Sequence, residues 1–348
     1  MNRRHFITSA SLVTCMPMLS CLTDKHKDNT GFYIKPIIGS WFEFEHHNQA
    51  GAKYWNPALR KFTTEQWKAL VFDMHEIGLE YLPLLSVAYD GKTYYPSALQ
   101  PRHDFVCDDP LEAVLSAADG CGIKFFVSND YWGDWTQVEK AMTDEAIWRI
   151  REKGMEELAG KYAHHPSFYG WYYPNESQLY PVFDDFAVKY INRCSQIAHS
   201  LTPGALTMVS PYGMQYVKFN EPYIKQLEQL DVNIIAYQDE VGVRKIKLGE
   251  TGKHFEDLYK MHAIAGRARL WADIEIFDFE AEIYHSAGIP ASFERVLRQI
   301  TDASPYVEHI LAYQYEGMMN KPGTSAFAGH KNSEKLYNDY LHWLTNKI

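Results

Sequence analysis

The chain has 348 residues, is 46% hydrophobic and 22% charged, and carries a formal net charge of −10. That balance suits a globular protein with a large core. It excludes nucleic acid as an expected partner, since no basic stretch follows the first few residues. Nine Trp, 24 Tyr and 18 Phe make the chain 15% aromatic, a content that favours sugar recognition, in which flat rings stack on pyranose faces.

The N-terminus reads as an export signal of bacterial type. Asn2-Arg3-Arg4-His5-Phe6-Ile7 precedes a modestly apolar run from Ile7 to Leu19, and Arg-Arg-x-Phe resembles the twin-arginine variant. The run is too short to span a bilayer. Met18-Leu19-Ser20-Cys21 reads as a lipobox, with Cys21 lipidated as the mature N-terminus. The alternative is a plain cleaved signal with a chance cysteine. The expected layout is a signal at residues 1–20, a polar tether at 21–33 and a catalytic domain at 34–348, held in the cell envelope. Membrane contact then comes only through the lipid. Cys107, Cys121 and Cys194 are too widely spaced for a disulfide framework or a metal-ligand pair; one disulfide is possible, and buried free thiols are the default.

From residue 34 strand and helix signals alternate to the end, with no Gly/Ser/Pro linker. Pro36 to Glu45 reads as the first strand, with Trp41, Glu43 and Glu45 on one face. Thr63 to Gln66 is a capping box opening a helix that Gly78 ends. Glu80 to Val87 is the second strand, followed by a loop, Tyr89 to Tyr95, of sugar-binding residue types. Asp109-Pro110 starts a helix that Gly120 stops. Ile123 to Ser128 is the third strand, and Asp144 to Ala163 a long helix. Phe168 to Tyr173, an extended aromatic run with no helical period, ends in Pro174-Asn175-Glu176 and is the fourth strand. A helix from Val182 to Leu201 follows, then strands at Ala205–Val209, Val232–Tyr237, Ala268–Ile276 and His309–Tyr315. Between and after them lie helices at Pro222–Leu230, His254–Ala265, Pro290–Ala303 and from a Ser333 cap to Asn346.

Eight strands, each followed by a helix, predict an α/β fold, a single (β/α)8 TIM barrel. An open doubly wound sheet would want a Gly-rich phosphate turn after an early strand, and none is present.

Strand ends in such a barrel form the active-site face. Here they supply Glu43, Glu45, Asp130, Glu176, Glu240, Glu275 and Glu316, with no Lys or Arg among them. An anionic substrate would want the opposite balance. Neutral sugars, which develop positive charge at the anomeric carbon, suit an acid-lined cavity.

Asn175-Glu176 at the end of the fourth strand resembles the Asn-Glu signature of the clan A retaining glycoside hydrolases. Chain-wide the sequence is similar to a family of exported bacterial glycosidase-like barrel proteins. The resemblance implies Glu176 as catalytic acid/base and Glu275, which ends strand seven, as nucleophile. It also implies that Tyr237 supports the nucleophile and that Asn175 bonds a sugar 2-hydroxyl. Trp41, Tyr131, Trp132, Trp135 and Tyr212 are candidate stacking platforms. Glu43, Asp130, Gln238, Asp273, Gln314 and Glu316 complete the expected substrate-binding set. A second Asn-Glu, Asn220-Glu221, sits at a helix start, and His46 and His47 follow the first strand, where they could contact a sugar although such a pair is more often incidental.

No cofactor and no metal is expected. A metal-dependent hydrolase is a rival, but His-x-His and His-Glu-x-x-His are both missing from the sequence. A lipid-tethered, non-catalytic glycan-binding barrel is the other. The sugar, endo or exo action and the oligomeric state leave no signal in the sequence.

Overall fold

Eight parallel strands close into a barrel in the computed structural model, which describes residues 33–346. The expected export signal, its Cys21 and residues 22–32 of the expected tether lie outside the described residues. In chain order the first half contains β1 (Ile37–Ser40), α1 (Asn56–Leu59), α2 (Thr64–Glu76), β2 (Tyr81–Pro83), β3 (Ala88–Tyr89), β4 (Lys92–Thr93), α3 (Pro110–Cys121), β5 (Lys124–Ser128), α4 (Val138–Thr143), α5 (Glu145–Tyr162) and β6 (Phe168–Tyr173). The second half adds α6 (Asp185–Leu201), β7 (Leu206–Val209), α7 (Glu221–Gln229), β8 (Ile234–Gln238), α8 (Thr251–Ala265), β9 (Arg269–Glu275), β10 (Phe277–Phe279), β11 (Gly288–Pro290), α9 (Phe293–Ala303), β12 (Ile310–Tyr313), α10 (Tyr315–Met318) and α11 (Ser333–Thr345). The barrel order is β1, β2, β5, β6, β7, β8, β9 and β12, with β12 returning to β1. The fold is a single (β/α)8 TIM barrel.

Strand periodicity builds two apolar layers. On β9, Leu270, Ala272 and Ile274 pack outward under the helices, while Trp271 packs into the barrel with Trp41, Tyr81, Phe126, Tyr172, Met208 and Leu311. Asp273 and Glu275 continue the inward row towards the mouth. On β6, a Cβ at Gly170 would lie 2.4 Å from the Leu206 carbonyl oxygen, so only glycine fits where β6 and β7 draw together.

Helix starts follow their side chains. Thr63 and Gln66 form the reciprocal capping box of α2, and Asp144 accepts from two backbone N–H groups at the head of α5. Asn220 caps α7 by accepting from Tyr223 N at 2.7 Å, so the second Asn-Glu pair has a local structural job.

Several boundaries differ from expectation. The first two strands are shorter than read. Beyond Ser40 the chain keeps single bonds from Trp41 N to the Ala312 oxygen and from Phe42 N to the Pro83 oxygen as it splays towards the mouth. Gly122, with φ +80, ends α3 in place of Gly120. Ser333 is the first residue of α11, and Asn332 takes the cap position. The loop after β2 folds partly into the hairpin β3–β4, and a second hairpin, β10–β11, follows β9. Among the described residues no helix is long and apolar enough to cross a membrane.

Candidate active site

A cavity of about 540 Å³ opens at the C-terminal ends of the strands, a size suited to small ligands. Glu176, three residues beyond the end of β6, and Glu275, the last residue of β9, both line it. Asn175, Tyr131, Trp135, Tyr212, Gln238, Asp273 and Gln314 line it too.

Glu176 is half-buried, and its carboxyl is enclosed by the cavity walls. That enclosure pushes its pKa up to about 7, with the charge of Glu240 adding to the rise and a Gln238 hydrogen bond and Lys245 opposing it. Glu275 is held from three sides. Its Oε2 accepts from Val243 N at 2.8 Å, and its own N–H donates to Asp239 Oδ1 at 3.1 Å. Its carbonyl accepts from Arg295 Nη2 at 2.9 Å and Gln299 Nε2 at 3.0 Å. Burial raises the Glu275 carboxyl and the Asp239 charge raises it further, against the Val243 bond and Arg295. Asp273 is pushed well above the usual carboxylate range by burial and by Glu275, Asp239 and Glu176. Its only hydrogen-bonding side-chain neighbour among the described residues is Ser210, at 3.4 Å from Oδ2. Glu240 accepts from Gly213 N at 2.7 Å on Oε2, while its Oε1 lies 3.1 Å from Lys245 Nζ as an ion pair without a hydrogen bond among the described residues.

The remaining expected residues lie behind the cavity wall. Asp130 pairs with the buried Arg151 and accepts from Asn175 Nδ2 at 2.6 Å. It thereby fixes the Asn175 amide, whose second hydrogen goes to Tyr190 Oη at 3.2 Å. Glu43 is fully buried and accepts from Trp55 Nε1 at 2.7 Å and Gln314 Nε2 at 2.6 Å, while His46 Nδ1 lies 2.9 Å from its other oxygen. All three of those partners line the cavity. Glu316 accepts from Glu43 N at 3.2 Å and is likewise buried. Trp41 packs edge-on to Tyr172 inside the barrel, below the cavity. Trp132 turns away to donate to the Asn129 carbonyl at 3.0 Å, against Gly154. Tyr237 points out of the barrel, its hydroxyl 2.6 Å from that of Tyr223 and 2.8 Å from His262 Nε2, so it does not reach Glu275.

Other residues complete the lining. His46 and His47 face the cavity, and the His47 ring packs 4.1 Å from that of Trp135. Burial and the neighbouring His46 keep His47 uncharged, with its pKa well below the usual value. Tyr313 and Gln314, joined by a cis peptide, both line the cavity. Tyr284, from the β10–β11 hairpin, faces Glu275, Glu240 and Glu176, whose charges together with burial raise its phenol. Phe277, Phe279 and Trp55 close the apolar side.

Searching curated proteins found no match. Among solved structures, a candidate alpha-L-fucosidase from Bacteroides thetaiotaomicron superposes with TM-score 0.67 at 16% identity, covering 99% of this chain and 100% of that one. The endo-beta-1,4-mannanase from Thermotoga petrophila gives 0.58 at 12% identity over 90% of this chain and 77% of that one. The endo-1,4-beta-mannanase from Rhizomucor miehei gives 0.55 at 10% identity over 92% of this chain and 98% of that one. At such identities the likeness is one of fold. Residues 37–326 match the family described as "Domain of unknown function (DUF4434)". That match runs from the start of β1 past the end of β12, and the chain therefore belongs to the DUF4434 family.

Proposed function

We propose that the chain is a retaining glycoside hydrolase acting on a neutral oligo- or polysaccharide, exported and tethered to the cell envelope through Cys21. One observation carries the reading: Glu176 and Glu275 face a single cavity from β6 and β9, three barrel strands apart. Glu176, raised to about 7, can hold a proton near neutral pH and still release it. It protonates the glycosidic oxygen as Glu275 attacks the anomeric carbon, so the bond to the leaving group breaks and a glycosyl ester forms. Glu176, now a carboxylate, takes a proton from the water that cleaves the ester, and both acids return to their starting states.

The mechanism needs Glu275 ionised among crowded acids. Asp273 is the group on which a proton rests at least cost, because one of its oxygens has no partner among the described residues, whereas Glu275 has the Val243 N–H and Arg295. Trp135 and Tyr212 offer stacking faces, and the Asn175 oxygen accepts from a sugar hydroxyl.

The test is a glycoside screen of the purified protein beside Glu176→Gln and Glu275→Gln. Turnover by wild type and its loss in both variants supports the reading. Turnover that survives unchanged in either variant removes that residue's role. The burial that raises Glu275 favours a second reading, a glycan-binding barrel without turnover. Saccharide binding by wild type with no product formed would support that one.

A further inference from the structure

His165 lies three residues before β6 begins, at the opposite end of the barrel from Glu176. Its side chain is only 6% exposed, wedged between the turn into β6 and one face of α3. Its Nδ1 is 2.6 Å from Asp119 Oδ2, and Asp119 is itself fixed by the Ser167 N–H, 2.9 Å from Oδ1. With Nδ1–H donated to Asp119, Nε2 presents a lone pair. That lone pair faces another acceptor, Glu112 Oε2, 3.0 Å away. Two acceptors at this distance repel unless a positive centre joins them. Glu112 and Asp119 stand two turns apart on α3 and so bracket the ring from one helix face. A third donor is at hand: the exposed His164 ring has its centroid 4.2 Å from that of His165. Ligand atoms of Glu112, His164 and His165 all lie within 4.8 Å of one another.

We propose that Glu112, His164 and His165 bind one divalent transition-metal ion of the zinc class, with Asp119 orienting His165 from behind. Two imidazoles and a carboxylate form the borderline donor set that Zn²⁺ accepts, whereas Mg²⁺ and Ca²⁺ want oxygen throughout. The Asp119–His165 bond is the carboxylate–histidine support that fixes a ligand's tautomer and strengthens its basicity. The fourth position opens to solvent beside His164. Glu112 and His165 are 53 residues apart in sequence, so the ion ties α3 to the turn that starts β6. Its role is to brace the strand that carries Asn175 and Glu176, far from the chemistry itself. An adjacent His-His pair has none of the familiar ligand spacings, and Glu112 is remote in sequence, so no motif marks the site.

The experiment uses tag-free, EDTA-stripped protein titrated with ZnCl₂ against a chromophoric chelator, with thermal unfolding followed in parallel. Wild type should take up one Zn²⁺ per chain and gain Tm, with no such gain from Mg²⁺. His164→Ala and Glu112→Gln should each lose about tenfold or more in affinity, together with the Tm response. His164 is exposed, so its variant keeps the fold. No uptake by wild type would overturn the proposal and leave a proton alone joining His165 to Glu112. Undiminished affinity in His164→Ala would also overturn it, by placing the ion elsewhere.

Discussion

Val243 donates its backbone N–H to Glu275 Oε2 at 2.8 Å, on the same wall where an oxygen of Asp273 has no hydrogen-bond partner among the described residues. A fixed N–H favours the charged form of the group it bonds. The proposed mechanism therefore assigns the proton to Asp273, and replacing it with its neutral isostere should change little. Asp273→Asn should keep kcat within about tenfold of wild type, whereas Glu275→Gln should lose at least about 10³-fold. Equal losses in steady-state kinetics would instead make Asp273 the nucleophile.

In the proposed mechanism Glu176 acts on the leaving group, so its importance depends on how much help that group needs. Glu176→Gln should lose about 10²–10⁴-fold in kcat/KM on natural glycosides. On a dinitrophenyl glycoside, whose leaving group departs without a proton, the first step should be largely spared. A loss of the same size on both substrates would argue against proton donation.

Stability should carry the same signature. Glu176 titrates near 7 in the folded protein against 4.5 for the free side chain. Folding thus favours the protonated acid: this contribution is complete below about pH 4.5 and is lost as pH rises through about 7. Glu176→Gln lacks the titration, so its Tm relative to wild type should climb between about pH 5 and pH 8. A difference that stays flat over that range would show that the enclosure is not felt by this carboxyl.

Arg151 is wholly buried against Asp130, with its guanidinium 4.3 Å from the centre of the Trp148 ring. Arg151→Met leaves the Asp130 charge unpaired and should cost about 3–5 kcal/mol, read as a lower urea midpoint. Arg151→Met with Asp130→Asn should recover part of that loss. No recovery would mean that the damage came from packing rather than charge.

Much of this arrangement was legible because strands alternate. Leu270, Ala272 and Ile274 announce the outer face of β9, which leaves Asp273 and Glu275 inward. Position also separated the two Asn-Glu pairs, one at a strand end and one capping a helix. The same rule, applied to β8, finds what the family resemblance missed. Ala236 packs inside the barrel, so Tyr237 must point out to Tyr223 and His262. Loops follow no period. Trp132 and Trp135 belong to one turn, yet Tyr131, at φ +77, redirects the chain so that only Trp135 reaches the cavity. Trp55, Tyr284 and the two histidines likewise arrive by loop geometry, which propensity and spacing do not encode.

The pairing of Asp130 with Arg151 has an electrical consequence. It cancels the negative charge directly behind Asn175, next to the uncharged His47 that packs on Trp135. On the other side Asp239 and Glu240 lie just past the end of β8, and Asp273 and Glu275 close β9. With Asp273 protonated in the proposed mechanism and Glu240 paired with Lys245, the negative charge on that side concentrates at Asp239 and Glu275, and the cavity is polarised across its width. Under the proposed mechanism a sugar ring gaining positive charge would be drawn towards β9, and the direction of that pull, as much as the shape of the walls, would set which face of the sugar Glu275 meets.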